Sequence, residues 1–464
     1  MSLRVRVEDL AAIVGAAHVV TDDVPARHTQ DLWGSDRVGH ASVVVRPADA
    51  AEVAAVLAHC HGHHQPVAVQ GGMTGLVGGA VPGADEVVLS TERLAGATVD
   101  LAGRTVTAGA GATLGDVQDL AAEHGFLLPI DLASKGSATI GGCVATNAGG
   151  VNVVGFGMTR QHVRSLEVAL ADGRVLTLST PLVKDNAGMD LKQLFIGSEG
   201  LLGVVTSATL GLQPAALSRT GAFVALEDLD TALALLNALQ RKLPGAVTAF
   251  EVMWDDAYRT LEPTGMRLPL PFGHPLYALV ECRGADPAGD AERLAVAVAE
   301  FSDSLLDAAV ATNAAELGAF WAARERIPAE ILRMQPLFGF DVSVPAGALA
   351  KCLAAMRVEL ERSWPAVKLL VFGHLGDDNV HIAVVTGETT RERKPEVEHI
   401  VYRLVTESGG SISAEHGVGF EKRSYLGYTR SADEIALMRR LKELLDPRGI
   451  LNRDRMIPWG GENA

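Results

Sequence analysis

The chain has 464 residues, of which 48% are hydrophobic and 21% charged, an ordinary globular composition with enough apolar side chain for roughly two or three domains. With 56 acidic against 40 basic side chains the formal charge is −16, and no basic stripe stands out; nucleic acid or an anionic membrane is therefore a poor partner and a small molecule a better one. Cys60, Cys143, Cys282 and Cys352 are far apart with no C-x-x-C pair, which supports neither a disulfide framework nor a cysteine zinc site and suggests a reduced compartment, with a cytoplasmic setting expected from the start of the chain and its hydropathy. The start, MSLRVRVEDL, has no apolar core, and no run reaches the roughly eighteen apolar residues that span a bilayer.

In chain order, Val7 to Gly15 reads as a helix, and Thr21 to Gly39 as a turn-rich stretch with Trp33 as its large apolar anchor. Ser42 to Arg46 reads as a strand, followed after Pro47 by a helix from Ala50 whose Val53, Val56 and Leu57 recur at helical spacing. His59 to His64 closes that helix, and the bland reading of this His-rich tract, an exposed helix end, is preferred over a metal site. Val67 to Gln70 then runs into five glycines between Gly71 and Gly79, a composition that lets backbone N–H groups turn toward an anion. No Gly-Lys-Ser/Thr follows, so this is not a nucleoside-triphosphate loop. Gly109 to Gly115 has a glycine spacing one residue too long for a dinucleotide fingerprint and reads as a turn opening a helix.

From Leu128 to Gly150 small residues dominate, which suits close approach of backbone to a large flat ligand. Leu166 to Leu178 is a hairpin with Asp172-Gly173 at its turn, and the cluster Ile196 to Gly203 leads into a strand from Val204 to Leu212. After Gln213-Pro214 the pattern changes. Strands are expected at Ala222 to Leu226, Ala246 to Val252, Leu276 to Glu281 and Phe340 to Val344, with helices at Leu229 to Leu239 and Ala348 to Leu360, which suggests a sheet with helices to one side. The stretch VFGHLGDDNVHIAVV, Val371 to Val385, reads as a buried hairpin with His374 where its first strand ends and His381 one residue into the second. Ile412 to Gly419 adds Glu415 and His416. Two imidazoles, a carboxylate and a further imidazole fit a divalent metal beside a general base, although His pairs at a turn also occur as satisfied core residues. A last helix, Ile435 to Leu445, stops at Asp446-Pro447, and Gly449 to Asn452 turns the chain back.

Five strings in this order and spacing, QGGMTGLVGGAVP, PIDLASKGSATIGGCVATNAGG, FIGSEGLLGVVT, FGHLGDDNVH and AEHGVG, resemble the FAD-dependent D-2-hydroxyacid dehydrogenases of the vanillyl-alcohol-oxidase flavoprotein superfamily. The resemblance implies an α+β fold: a two-subdomain FAD-binding domain over 1–213, a substrate domain of antiparallel sheet covered by helices over 214–420, and a C-terminal helical segment over 421–464 that returns to the FAD domain. It places the FAD pyrophosphate on Gly71, Gly72, Thr74, Gly75, Leu76 and Gly79. The rest of the cofactor would lie along Pro129, Asp131, Gly136, Thr139, Gly142, Asn147, Ala148, Gly149, Gly150, Gly200, Val205 and Asn452. Met73 stands where some members tether flavin through a His, so the FAD is expected to be non-covalent, with Cys143 as the nearest conceivable thioether. His374, His381 and Glu415 would hold zinc or manganese. Arg324 would bind the substrate carboxylate with His374 and His416 beside it, and His416 would take the hydroxyl proton as hydride leaves for flavin N5. An acceptor such as a quinone, a cytochrome or an electron-transferring flavoprotein is implied, and a homodimer is a reasonable expectation. Competing readings are a metal-dependent hydrolase with a different phosphate ligand, a flavin subunit without substrate chemistry of its own, and an oxidase of another alcohol or a sugar.

Departures from the family pattern bear on the substrate. Where the D-2-hydroxyglutarate enzymes carry a Thr, a Lys and an Asn, this chain has Pro328, Gly339 and Ala383. A second substrate carboxylate would lose a cation and two hydrogen-bonding groups, and Pro336, Leu337, Phe338 and Phe340 suggest an apolar wall. A short or apolar side chain, as in lactate, is therefore expected over D-2-hydroxyglutarate or malate, unless Arg326 or Arg333 replaces the missing Lys.

Overall fold

A computed structural model describes residues 3–31, 38–387 and 391–459; Trp33 lies outside the described residues. The chain divides into two compact units. The first comprises Met1–Gly150, Met158–Ala215 and Glu415–Ala464, and the second Val151–Gly157 and Ala216–Ala414. The short segment Val151–Gly157 thus leaves the first unit, and the chain re-enters that unit at Glu415, ahead of residue 420.

In the first unit, β1 (Val19–Val20), β2 (Val44–Val45), β3 (Val67–Gln70) and β4 (Val87–Ser90) form a sheet in the order β1-β2-β4-β3, with β4 parallel to both β2 and β3. The parallel strands β2, β3 and β4 are apolar and largely buried up to Gln70 and Ser90 at the ends of β3 and β4, as expected where a parallel sheet is covered on both faces. The connecting helix Ala50–Gly62 is capped by Asp49, whose carboxylate accepts the Glu52 N–H, and it buries Val53, Val56 and Leu57. A second, antiparallel sheet has the order β5-β6-β10-β8-β9, built from β5 (Ala97–Asp100), β6 (Thr105–Gly109), β8 (Val163–Ala169), β9 (Val175–Leu178) and β10 (Val204–Gly211). A small pair joins β7 (Phe126–Leu127) to β11 (Gln213–Pro214).

The glycine tract between β7 and β8 is not all loop: Ile140–Thr146 is a helix. Two glycines make it a poor helix former. Its ends hold it, because Thr139 caps the N-terminus onto the Gly142 N–H and Asn147 ends it in the left-handed region at φ 49°.

The second unit is one antiparallel sheet of order β15-β12-β14-β13-β17-β18-β16, from β12 (Ser218–Leu226), β13 (Val247–Trp254), β14 (Leu276–Gly284), β15 (Leu305–Val310), β16 (Leu337–Ser343), β17 (Lys368–His374) and β18 (Asn379–Val385). Phe223, Leu279, Met253, Phe372 and Ala383 point to one face and pack against the helix Ala314–Ile331 through Leu317, Phe320, Ala323, Ile327 and Ile331. The alternate residues Val224, Val280, Phe250, Val371 and Ile382 are equally buried, so both faces are covered rather than one. The helices Leu229–Lys242, Asp290–Ala299 and Lys394–Glu407 also pack on these strands. No helix among the described residues is long and apolar enough to cross a membrane.

Candidate active site

The polar part of the site in the second unit is a product of strand register. Glu251 of β13 lies opposite His374, the last residue of β17, and Asp341 of β16 lies opposite His381, the third residue of β18. Each histidine therefore has a carboxylate as its cross-strand neighbour. The Glu251 Oε1 is 2.5 Å from His374 Nδ1, and Asp341 Oδ1 is 3.6 Å from His381 Nδ1. The two rings meet edge-on, and their Nε2 atoms are 3.3 Å apart.

Arg324 belongs to the same constellation. It sits on the buried stripe of the helix Ala314–Ile331, where the 3.6-residue period calls for an apolar side chain. Its Nε and a terminal nitrogen donate to Glu251 Oε2 at 2.8 and 2.7 Å, and its guanidinium lies 5.0 Å over the Phe372 ring. Glu251 is fully buried. Burial alone would raise its carboxyl, but its interactions with His374 and Arg324 outweigh that and hold the group below its usual range. Arg324 is thus already engaged by an internal carboxylate, which the expectation of an open substrate clamp had not included.

Beyond His381 the same sheet face turns apolar. Ala383 lies opposite both Leu370 and Gly339, and Pro328 is within the helix that carries Arg324. Arg326 and Arg333 both pair with the buried Glu330, which engages the two cations that could have replaced the missing Lys.

The first unit holds the remaining candidates. Gly71 and Gly72 are required by close approach: a Cβ on Gly72 would lie 1.8 Å from the Ser137 carbonyl oxygen, and one on Gly71 would lie 2.6 Å from Thr139 Oγ1. The first glycine loop is thereby seated directly against the second tract. A Cβ on Gly75 or Gly136 would meet nothing within 4 Å, so these two positions leave room for a ligand beside both loops. Asp131 bridges to Gly150, Ala148 accepts from Thr159, and the Asn147 side chain accepts the Arg160 N–H. Thr74, Leu76, Gly79, Pro129, Gly142 and Gly149 lie along the same two tracts, and Val205 is in β10. Asn452 lies beside β3, where its side chain accepts the Val69 N–H and donates to the Glu199 carbonyl. Gly200, next to it, has φ +73°, and a Cβ there would meet Asn452 at 2.7 Å.

Glu415 and His416 are on the loop that opens the last segment of this unit. The Gly150 N–H donates to Glu415 Oε1 at 2.6 Å, which ties that carboxylate to the end of the glycine tract. Glu199 holds the loop from below, accepting the N–H groups of Val418 and Gly419 at 2.7 and 2.8 Å.

Two families match the chain in succession, and the second match runs past Glu415 into the last segment of the first unit. The family described as FAD binding domain matches residues 41–179, and that described as FAD linked oxidases, C-terminal domain matches residues 217–456. The mitochondrial D-2-hydroxyglutarate dehydrogenase of Bos taurus is 38% identical over 97% of this chain and 84% of its own length. The D-2-hydroxyglutarate dehydrogenase of Xanthomonas citri pv. viticola is 35% identical over 97% of both chains. The chain belongs to the FAD-linked D-2-hydroxyacid dehydrogenases. The fold agrees: p-cresol methylhydroxylase superposes with a TM-score of 0.75 at 15% identity, over 98% of this chain and 97% of its own.

In this FAD-linked dehydrogenase the residues that sequence reasoning missed are all carboxylates: Glu251, Asp341 and Glu199. Glu251 did leave a trace, as an acid in the apolar strand AFEVMW, where it had to be paired if buried. Its partner could not be read, because His374 is 123 residues away. Cys143 is buried, and burial pushes its thiol up to about 12, which keeps it from acting as a thiolate.

Proposed function

We propose that this enzyme oxidises a D-2-hydroxyacid with a short or apolar side chain to the 2-oxoacid, using non-covalent FAD and a divalent metal, zinc or manganese, held by His374, His381 and Glu415. The observation that carries the reading is the facing pair of imidazoles. A carboxylate can only accept, so Glu251 calls for a proton on His374 Nδ1 and leaves the His374 Nε2 lone pair directed at His381. A cation between the rings lets both present lone pairs, and two nitrogens about 2.05 Å from a tetrahedral zinc stand ~3.3 Å apart. The 3.3 Å between the Nε2 atoms matches that bite.

Bound FAD supplies the hydride acceptor, and the cation supplies a Lewis acid that lowers the pKa of the substrate hydroxyl. Arg324 takes the substrate carboxylate, its guanidinium held in place by Glu251 and Phe372. His416 takes the hydroxyl proton, a role worth roughly a hundred- to ten-thousand-fold in rate. Met73 in the first glycine loop and the buried Cys143 support a non-covalent cofactor. Electrons then pass to an external acceptor such as a quinone, a cytochrome or an electron-transferring flavoprotein.

The names of the relatives favour a second reading, D-2-hydroxyglutarate as substrate. Against it stand Gly339 and Ala383 beyond His381, and the pairing of Arg326 and Arg333 with Glu330, which together offer a second carboxylate no cation. Anaerobic bleaching of the bound flavin by a panel of 2-hydroxyacids in both enantiomers tests the reading. It stands if D-monocarboxylates reduce the flavin faster than D-2-hydroxyglutarate, and it fails if the order is reversed or if only L-enantiomers react.

A further inference from the structure

Glu251 divides its two oxygens between two partners of different chemistry. Oε1 faces the Nδ1 of His374 and Oε2 receives two N–H groups of Arg324, with all three residues buried. The carboxylate itself is immobilised, because β13 lies between β14 and β17 and Glu251 is opposite Leu279 on one side and His374 on the other. Of the two neutral imidazole tautomers a rigid acceptor of this kind permits one, with the proton on Nδ1 and the lone pair on Nε2. It also leaves the guanidinium one orientation, edge-on to the carboxylate and stacked over Phe372.

We infer that Glu251 is a positioning residue that fixes the tautomer of His374 and the orientation of Arg324 at the same time, so that one buried side chain aligns the metal ligand with the substrate clamp. The inference rests on the metal and clamp roles proposed above, but its core, the tautomer, can be measured without either. Asp341 backs His381 more loosely, at 3.6 Å and with an oxygen also accepting from Asn379, and does not impose a tautomer in the same way.

Glu251→Gln discriminates, because an amide has one accepting oxygen and one donating nitrogen. The two guanidinium N–H groups claim the oxygen, the amide nitrogen is left facing His374 Nδ1, and the imidazole proton is driven to Nε2, where a cation needs the lone pair. Metal-stripped, flavin-loaded protein titrated with Co(II) and followed by the cobalt absorption bands is expected to bind 10- to 100-fold more weakly in the variant, the range for loss of a ligand's supporting partner. Retained flavin reports that the first unit is folded, and a circular dichroism spectrum and melting curve like those of wild type report the same for the second, which carries the substitution.

Should the variant fail to fold, imidazole 15N shifts of the metal-stripped wild type carry the test, with His374 assigned by its absence in His374→Gln. The Nδ1–H tautomer supports the inference. An Nε2–H tautomer overturns it, as does folded Glu251→Gln that binds Co(II) within about twofold of wild type. A wild type that binds no cobalt yet shows the Nδ1–H tautomer ends the metal proposal and leaves the positioning role standing.

Discussion

The carboxylate of Glu199 accepts the peptide N–H of Gly419 at 2.8 Å, across 220 residues of sequence, and takes the Val418 N–H with its other oxygen. Glu199 is buried, which raises its carboxyl, and these two N–H groups work against that rise. The loop carrying Glu415 and His416 is thus tied to the turn Ser198 to Gly200 by a buried acceptor. Glu199→Ala would leave the buried Gly419 N–H and the half-buried Val418 N–H unsatisfied, at about 1–3 kcal/mol for the buried one and less for the other. An unfolding free energy lowered by that amount is expected from denaturant melts, together with a fall in kcat greater than any loss of flavin. Gly417→Ala should behave similarly, since its φ is +81° and a Cβ would lie 2.6 Å from Glu199 Oε1.

Glu281 gives the second unit an acid-side limit. It is 1% exposed and accepts from Arg219, Arg283 and the Trp321 indole. Burial would raise its carboxyl, but Arg219, Arg283 and Trp321 together hold it below the ordinary 4.5. A folded value below the unfolded one means that its stabilisation is complete above about 4.5 and is lost as pH falls through the lower folded value. Glu281→Gln should therefore be less stable than wild type by about 2 kcal/mol at pH 7. Urea melts at stepped pH should show that gap closing below 4.5, and a constant gap would contradict the assignment.

Lys442 and Asp446 form a buried pair in the first unit. Lys442 donates to Asp446 Oδ2 at 2.6 Å and to the carbonyls of Leu201 and Leu451, while Asp446 accepts the N–H groups of Ile450 and Leu451. Burial lowers the ammonium's pKa. Asp446→Ala would strand that charge, costing roughly 3–5 kcal/mol at pH 7, and an apolar double replacement should recover only part of it, because the Leu201 and Leu451 carbonyls and the Ile450 and Leu451 N–H groups then lose their partners. The loss should shrink toward alkaline pH, where the stranded ammonium deprotonates in both folded and unfolded chains. Thermal melts of the single and double variants at two pH values read both effects.

Much of the fold was legible because its signals are local. The hairpin bearing His374 and His381 follows from two apolar runs around a Gly-Asp turn, and the hairpin β8–β9 from Asp172-Gly173. The helix Ile140–Thr146 was not legible, since Gly141 and Gly142 argue against it and only its caps and packing sustain it: a Cβ on Gly141 would lie 2.6 Å from that of Ala110. The candidate site divides in the same way. Its imidazoles stand out by residue type and spacing, whereas Glu251 and Asp341 acquire meaning through antiparallel register, which pairs residues that no sequence window contains.

The substrate preference yields the last prediction. Gly339 is exposed on β16 opposite Ala383, two residues along each strand from the Asp341–His381 pair, so side chains there extend from the same sheet face as His381. Gly339→Lys together with Ala383→Asn would place a cation and an amide where a second carboxylate of the substrate requires them. Each hydrogen bond to that charge is worth about 1.5–3 kcal/mol, so kcat/KM for D-2-hydroxyglutarate relative to D-lactate should rise tenfold or more in the double variant. Steady-state rates with an artificial acceptor measure the ratio, and D-lactate turnover in the same preparation shows that the variant is intact. If the wild type already prefers D-2-hydroxyglutarate, or the double variant leaves the ratio unchanged, the apolar end of this sheet face does not select the substrate.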